Sequence, residues 1–170
     1  TPENTDVNAS GCPYIYLDAN GVTLKATDDA FSDREYMYRG ELYYIAPNNF
    51  DGQSCAYCET HFERIITTRV TSMYRMFRDR PFNDTISSWD VSNVINMGYM
   101  FEGNDNFNQD IGSWDVSNVT QMHYMFRGAT NFNQDIGNWD VSNVSNCSQF
   151  WYNTPSWSLP RPNFTNCNPN

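Results

Sequence analysis

The chain has 170 residues, enough for one domain with a sizeable core. Twenty carboxylates outnumber the ten lysines and arginines and give a net charge of −10, so a phosphate backbone would be repelled and nucleic acid is not an expected partner. No apolar run approaches the roughly 20 residues of a membrane span, and membrane insertion is not expected.

The composition favours an exported, processed chain. Asparagine and aromatic residues are plentiful, the only lysine is Lys25, and five cysteines occur in a small acidic chain. Disulfide-forming cysteines are typical of an oxidising compartment, so an extracellular or cell-surface location is expected. Six N-x-[ST] sequons are candidate sites for covalent glycans: Asn8, Asn83, Asn118, Asn143, Asn146 and Asn163.

The N-terminal part predicts a small antiparallel β unit. After an extended arm, residues 1–12, the segment "YIYLDANGVTLKAT" places Asn20-Gly21 between two strand-like runs, which is a strong hairpin signal. The segment "EYMYRGELYYIA" repeats this arrangement around Arg39-Gly40. We therefore expect a tyrosine-rich β-hairpin unit over residues 13–50.

A sequence repeat of constant length occupies the middle of the chain. Trp89, Trp114 and Trp139 are equally spaced and mark three copies, and a weaker copy begins near Phe62. A fixed period in the twenties is typical of stacked repeats, in which one unit cannot bury its apolar face alone. The sequence therefore predicts a repeat solenoid over residues 51–146.

The spacing within a unit predicts the fold class. Ile111, Trp114, Val116 and Val119 follow the spacing of a leucine-rich-repeat strand, and the methionine and phenylalanine positions after Val119 recur at helical intervals. We expect an α+β, leucine-rich-repeat-like solenoid of about four coils with a strand and a short helix each. Its expected core, with no cofactor, is Trp89, Trp114, Trp139, Val94, Val119, Met97, Met122, Met100, Met125, Phe101 and Phe126.

One asparagine recurs in each unit, just after the predicted strand. Asn93, Asn118 and Asn143 are expected to form a ladder whose side chains satisfy backbone groups of the neighbouring turn. The sequons at Asn118 and Asn143 would then be by-products of the repeat. Asn8, Asn83 and Asn163 lie off the motif or in loops and are expected to be more accessible.

The repeated words carry a family resemblance. "FNQDIGSWDVSNVTQMHYMF" is similar to the repeat of BspA-like bacterial surface proteins, which belongs to the leucine-rich-repeat-like class, and the similarity covers about residues 62–152. The resemblance implies an extracellular or cell-surface protein, usually noncatalytic, that serves adhesion, interaction or envelope structure. It transfers no catalytic residue.

The C-terminal segment, residues 147–170, is expected to cap the repeats. Cys147 stands where Met97 and Met122 stood, and the chain then becomes polar and proline-rich, which ends any helix. A Cys147–Cys167 disulfide would fasten this tail and is worth about 3 kcal/mol in the chain-entropy picture. The β unit would cap the other end.

Three cysteines remain. Cys12 is expected to pair with Cys55 or Cys58, which leaves one thiol free for a cross-link to another molecule. The alternative is a zinc site, because Cys55, Cys58 and His61 form a C-x-x-C-x-x-H motif that Cys12 could complete. Oxidation outside the cell favours disulfide chemistry, and no metal site is expected.

No catalytic constellation is present in the sequence. His61 and His123 stand in no nucleophile or metalloenzyme motif, and the recurring Asp90, Asp115 and Asp140 fit turn hydrogen bonds better than an acid–base pair. The segment "NDNFNQD" alternates oxygen side chains as a calcium loop does, but it lacks the central glycine and the distal glutamate. An enzyme is not expected.

Two functions remain open at this point. The favoured one is a secreted structural protein, bearing glycans, that assembles with copies of itself into an extracellular filament or surface layer. The odd cysteine, the short repeat array, the arm and the scattered sequons motivate it. The alternative is a monomeric adhesion or recognition module that binds a protein or a glycan.

Overall fold

The structure is a computed structural model and describes residues 6–7, 15–19, 21–27, 30, 34–39, 41–48, 50 and 62–170. In its first part, β1 (Ile15–Leu17) pairs antiparallel with β2 (Leu24–Ala26), as the Asn-Gly turn predicts. Gly21 adopts a φ of 73°, and its N–H donates to the carbonyl of Asp18 (3.0 Å). Only glycine adopts such a φ without strain.

A second sheet has the order β3-β4-β5. Here β3 (Arg34–Tyr38) and β4 (Glu41–Ile45) form the second expected antiparallel pair, and β5 (Ile65–Ile66) joins β4 in parallel. Because β5 opens the repeat region, this pairing attaches the sheet to the repeats. The inner faces of both sheets share a small core: Ile15, Leu24, Ala26, Ala30, Tyr36, Ile45 and Ile66.

The expected fold class, a leucine-rich-repeat-like solenoid with a strand and a short helix in each coil between two caps, is wrong. In the described part of the chain, the extended strands form only the two small sheets, and the one helix is a 3-10 turn at Phe62–Arg64. The repeats themselves consist of turns. Met122, Met125 and Phe126 have a helical spacing but do not form a helix. Tyr124 lies between them with a φ of 58°, which ends any right-handed helix.

Neighbouring repeats are nevertheless bonded to each other through their backbones. Ser72, Asn96, Gln121 and Asn146 form consecutive parallel bridges of one residue each. Next to them, the N–H of Met97 donates to the carbonyl of Gln121 (2.8 Å), with equivalent bonds in the units on either side. A bridge of one residue per unit is too short for a strand, which explains why the expected strands are absent.

The core of the repeats is built from rows of aromatic rings. Phe101 stacks on Phe126 at a centroid distance of 5.5 Å, and Phe107 stacks on Phe132 at 5.8 Å, each pair being one repeat apart in sequence. Trp114 and Trp139 stack at 6.3 Å with an angle of 8° between their planes. The expected core residues are all buried and belong to one cluster.

Side chains also bond each unit to the one before it. The indole N–H of Trp114 donates to the carbonyl of Ile86 (3.2 Å), and that of Trp139 to Ile111 (3.1 Å). The amide of Asn118 donates to the carbonyl of Ser92 (2.8 Å), and Asn93 and Asn143 make the equivalent bond. These asparagines therefore form the expected ladder.

The C-terminal segment packs over the last unit. Cys147 and Cys167 form the disulfide that the sequence predicts, with their Cα atoms 5.8 Å apart. Phe164 packs edge-on against Phe150 at 5.0 Å. Asn166 continues the asparagine ladder by donating to the carbonyl of Ser142, so the tail imitates part of a further repeat.

The ladder can be tested at Asn118. Asn118→Asp replaces the donating amide with a carboxylate facing the Ser92 carbonyl, whereas Asn118→Ala only removes a bond worth about 1 kcal/mol. We expect the aspartate variant to lower the free energy of unfolding more than the alanine variant, measured by urea denaturation. Asn138→Asp, at an exposed position, is the matched control; an equal loss there would show a general charge effect.

Candidate interaction surface

A band of tyrosine and arginine side chains runs across the repeats on their outer side. It originates from the repeated segment "MYRMFR", "MGYMFE", "MHYMFR" and "CSQFWY". Tyr74 is 41% exposed and Tyr152 58% exposed, while Tyr99 and Tyr124 are half-buried. We call this band the tyrosine–arginine face and define it as Tyr74, Arg75, Arg78, Tyr99, Tyr124, Arg127 and Tyr152.

The backbone turns these side chains outward. Arg75, Tyr99, Tyr124 and Gln149 occupy the same position of successive units and all have a positive φ, between 50° and 60°. Left-handed backbone costs a non-glycine residue roughly 1–2 kcal/mol. In this conformation Arg75, Tyr99 and Tyr124 each donate their N–H to a carbonyl of the following unit, as Tyr99 does to His123 (3.0 Å).

Neighbouring tyrosine rings of the face contact each other, and a guanidinium lies over two of them. Tyr99 and Tyr124 stack at 4.8 Å with 14° between their planes. The guanidinium carbon of Arg75 lies 4.9 Å from the ring centroid of Tyr74 and 5.1 Å from that of Tyr99. Cation–π contacts of this kind contribute about 0.5–1 kcal/mol at exposed sites, so they order the arginine without neutralising it.

A buried carboxylate lies between two arginines of the face. Glu102 is only 5% exposed; its carboxylate is 2.6 Å from Nε of Arg78 and 2.8 Å from Nη1 of Arg127. The hydrogen bond that Arg127 donates to the Glu102 carboxylate raises the pKa of Arg127 above its ordinary value. Arg127 also lies over the rings of Tyr124 and Tyr152. Arg78, Glu102, Arg127 and Tyr152 line a surface depression of about 300 Å³.

His123 fills a gap in the face that a glycine creates. Its imidazole packs against Tyr99 (5.0 Å) and lies where a side chain at Gly98 would be; a Cβ there would be 2.6 Å from the ring. Burial lowers the pKa of His123 below its ordinary value. Burial therefore favours the neutral imidazole, which packs against Tyr99.

The fit of His123 over Gly98 predicts a coupled pair of substitutions. Gly98→Ala should lower the free energy of unfolding by about 1–3 kcal/mol through overpacking. His123→Ala in the same chain should restore most of the free energy of unfolding that the overpacking removes, because the imidazole ring is no longer there. A double-mutant cycle by urea denaturation measures the coupling; strictly additive losses would contradict the packing contact.

The onward hydrogen bonds stop at the last unit. The N–H groups of Tyr124, Phe126 and Gly128 donate to carbonyls of that unit, at Ser148, Phe150 and Tyr152. Their counterparts in the last unit are the N–H groups of Gln149, Trp151 and Asn153, which have no backbone acceptor among the residues described. We call this row the donor end.

The first unit shows the opposite deficiency. Carbonyls of the second unit, such as those of Gly98, Met100 and Glu102, accept from the N–H groups of Arg75, Phe77 and Asp79. The corresponding carbonyls of the first unit, at Tyr74, Met76 and Arg78, receive no backbone donor within the described ranges. We call this row the acceptor end; Tyr74 beside it is exposed.

The structure places the other candidate residues as follows. Asp115 accepts from the N–H and hydroxyl of Ser117 (3.1 and 2.7 Å), and the same turn bonds recur at Asp90 and Asp140. At Asp140, the bonds from Ser142 lower the pKa of the carboxyl. Cys12, Cys55, Cys58, His61 and Asn8 lie outside the described residues.

The sequon asparagines differ in their surroundings. Asn83, Asn118, Asn143 and Asn163 are all exposed, so their hydrogen bonds distinguish them. The amide of Asn83 accepts from the N–H of Asn108 (2.9 Å) through its oxygen, so its nitrogen is not used in that bond. Asn118 and Asn143 instead use their amide nitrogens in the ladder, and Asn146 is half-buried.

The segment that alternates oxygen side chains is occupied by internal bonds. Asn104 is buried; its oxygen accepts from the N–H of Phe107 (3.1 Å), and its nitrogen donates to the carbonyl of Phe82 (3.0 Å). In the part of the chain that the structure describes, no group of three or more histidine, cysteine, aspartate or glutamate residues could hold a metal.

Sequence reasoning did not single out Glu102, Arg127 or Tyr152. A signal exists, because Arg78, Glu102, Arg127 and Tyr152 occupy one position of successive units, each about one repeat after the last. Opposite charges alternate along that position. A comparison of equivalent positions in successive units, rather than of residues within one unit, identifies this row of alternating charges.

Turn-built units of one repeat length, each bonded to the next, define a repeat protein. Residues 48–163 match the family described as "Mycoplasma protein of unknown function, DUF285", and the chain belongs to that family. No curated protein and no solved structure matches the chain. Among the described residues no helix is long and apolar enough to cross a membrane.

Proposed function

We propose that this chain is a secreted structural protein that assembles with copies of itself, end to end, into an extracellular filament or surface layer. The observation that carries the proposal is the complementarity of the two ends. The donor end offers the N–H groups of Gln149, Trp151 and Asn153, and the acceptor end offers the carbonyls of Tyr74, Met76 and Arg78. Within the chain, equivalent groups bond to each other at every junction.

Such a contact joins two different surfaces and does not close on itself. Heterologous contacts of this kind propagate into open assemblies. Three backbone hydrogen bonds at about 0.5–1.5 kcal/mol each fall short of the roughly 8 kcal/mol of a micromolar complex. Side-chain contacts between copies must supply the difference, so assembly should depend steeply on protein concentration.

A location at the cell surface fits the same proposal. The BspA-like resemblance of the repeat implies it, and the Cys147–Cys167 disulfide favours an oxidising compartment. The net charge of −10 keeps single copies soluble until a specific contact forms. No catalytic role is proposed for any residue.

Self-assembly is tested with the native, non-reduced protein. Sedimentation velocity over a hundredfold concentration range should show growing species, and electron microscopy should show linear or layered particles. The growth should persist under reducing conditions that leave Cys147–Cys167 intact, because it depends on hydrogen bonds. A protein that remains monomeric throughout would overturn the proposal.

We propose covalent glycans at the exposed sequons whose amide nitrogens are not used in the ladder. We expect Asn83 and Asn163 to be occupied, and Asn118 and Asn143 to be largely unmodified, because the amide nitrogens of the latter pair already donate within the ladder. Peptide mapping by mass spectrometry of the native material measures site occupancy. Full occupancy at Asn118 would contradict the expected competition.

A second function is favoured by the tyrosine–arginine face. Tyrosine and arginine are enriched where proteins bind partners, and Tyr74 and Tyr152 are exposed. If the protein remains monomeric, a recognition module for a protein or a glycan is the better proposal. Binding to a glycan array that is lost in Tyr152→Ala would support that alternative.

A further inference from the structure

We propose that the tyrosine–arginine face of one copy packs against the acidic side of a second copy, so that copies join laterally into a layer. We define the acidic side as Asp110, Asp115, Asp135 and Asp140, which are all exposed. This inference rests on the proposed self-assembly and adds a contact between the sides of the repeats. The C-terminal tail packs on the last unit and leaves both sides accessible, since Tyr152 and Asp140 are exposed.

Basic and acidic residues of the repeats are separated by side. Residues 103–126 and 128–160 contain no lysine or arginine, and the acidic side belongs to these two stretches. Each coil returns to the same position after one repeat, and Asp110 and Asp115 lie on either side of the midpoint between Tyr99 and Tyr124. They therefore lie across the aromatic core from the face. Among the described residues, no aspartate of the acidic side forms an ion pair.

The charge of one arginine of the face is unmatched within the described part of the chain. Nε of Arg78 lies 2.6 Å from the carboxylate of Glu102 and 3.3 Å from that of Asp79. Nη1 of Arg127 lies 2.8 Å from the Glu102 carboxylate. Arg75 is exposed and has no such carboxylate partner. An exposed guanidinium of this kind can bind a carboxylate through two parallel hydrogen bonds.

The tyrosine rings hold the guanidinium of Arg75 in position for such a contact. Its carbon lies 4.9 Å from the ring centroid of Tyr74 and 5.1 Å from that of Tyr99. The backbone is also held, because the N–H of Arg75 donates to the carbonyl of Gly98 (3.0 Å). A side chain that is already ordered loses less conformational entropy when it binds. Tyrosine and arginine are also the residues enriched at the centres of protein interfaces.

The two sides match in spacing because they belong to the same stacked units. Arg78 and Arg127 occupy one repeat position two units apart, and Asp110 and Asp135 occupy one position of neighbouring units. Charged groups therefore recur at whole multiples of the unit height on both sides, which favours a second copy over a partner with a different charge spacing. Because every copy carries both sides, the contact repeats from copy to copy.

Two variants test the contact from opposite sides. Arg75→Glu reverses the unmatched charge, and Asp110→Asn combined with Asp135→Asn removes half of the acidic side. The two aspartates accept hydrogen bonds from the N–H groups of Gly112 and Gly137 (3.0 Å each). An asparagine oxygen can accept the same bonds, so the fold should hold, and urea midpoints check this.

The readout is the protein concentration at which half of the protein is in layers, measured by sedimentation and electron microscopy. Like charges across a contact are unfavourable, so Arg75→Glu should raise this concentration at least about tenfold and the asparagine variant at least about threefold. A mixture of the two variants should form pairs where neither variant assembles laterally alone. The asparagine variant retains the face, and Arg75→Glu retains the acidic side.

Arg39→Glu is the matched control for Arg75→Glu. Arg39 is an exposed arginine outside the face, its guanidinium carbon lies 5.4 Å from the ring centroid of Tyr38, and its φ of 51° resembles the 60° of Arg75. The control should form layers as wild type does.

The possible results separate the lateral contact from self-assembly. If wild type forms single filaments but no layers, if Arg75→Glu forms layers as readily as wild type, or if the mixture shows no pairing, the lateral contact is overturned and self-assembly stands. If Arg75→Glu forms layers normally but loses binding to dextran sulfate, the face binds an anionic glycan instead of a second copy. If wild type remains monomeric, the lateral contact and the proposed function are both overturned.

Discussion

The backbone hydrogen bonds between neighbouring units are the interaction on which the repeats depend. A unit made of turns has no helix or strand ladder to satisfy its own N–H and C=O groups, and a buried backbone group without a partner costs free energy. The neighbour supplies the partner: the N–H of Phe101, for example, donates to the carbonyl of Met125 (2.9 Å). Loss of one unit would therefore leave unpaired groups in the units on both sides, which makes the stack cooperative.

Stacking places equal positions of the repeat next to each other, and this limits which residues each position accepts. Neutral residues can meet their own kind, as the stacked phenylalanines and the asparagine ladder do. At the position of Arg78 the sign of the charge alternates instead, which avoids contact between like charges. Glu102 accordingly separates Arg78 from Arg127. Bulky groups alternate for a similar steric reason, since His123 occupies the space that Gly98 leaves.

The sequence predicted the features that depend on local signals or on burial. The Asn-Gly and Arg-Gly turns predicted two antiparallel pairs, both present, and the apolar period identified residues that are buried. The fold class could not be predicted in the same way. Met122, Met125 and Phe126 have a helical spacing, but inward residues of a turn can share it, and a tyrosine at φ 58° has no local signature. The charged row emerges only when units are compared position by position.

At both ends of the stack the aromatic core is covered, but a row of backbone polar groups has no backbone partner among the described residues. At the first unit, Phe50 and Phe62 pack against Trp89 and close the aromatic core; at the last, Phe164 and the disulfide cover Phe150. An open apolar end would associate with many surfaces. An end that is closed in its core but retains a row of N–H groups offers polar, directional contacts in place of an apolar surface. The C-terminal tail therefore closes the aromatic core, while the N–H groups of Gln149, Trp151 and Asn153 keep no backbone acceptor among the described residues.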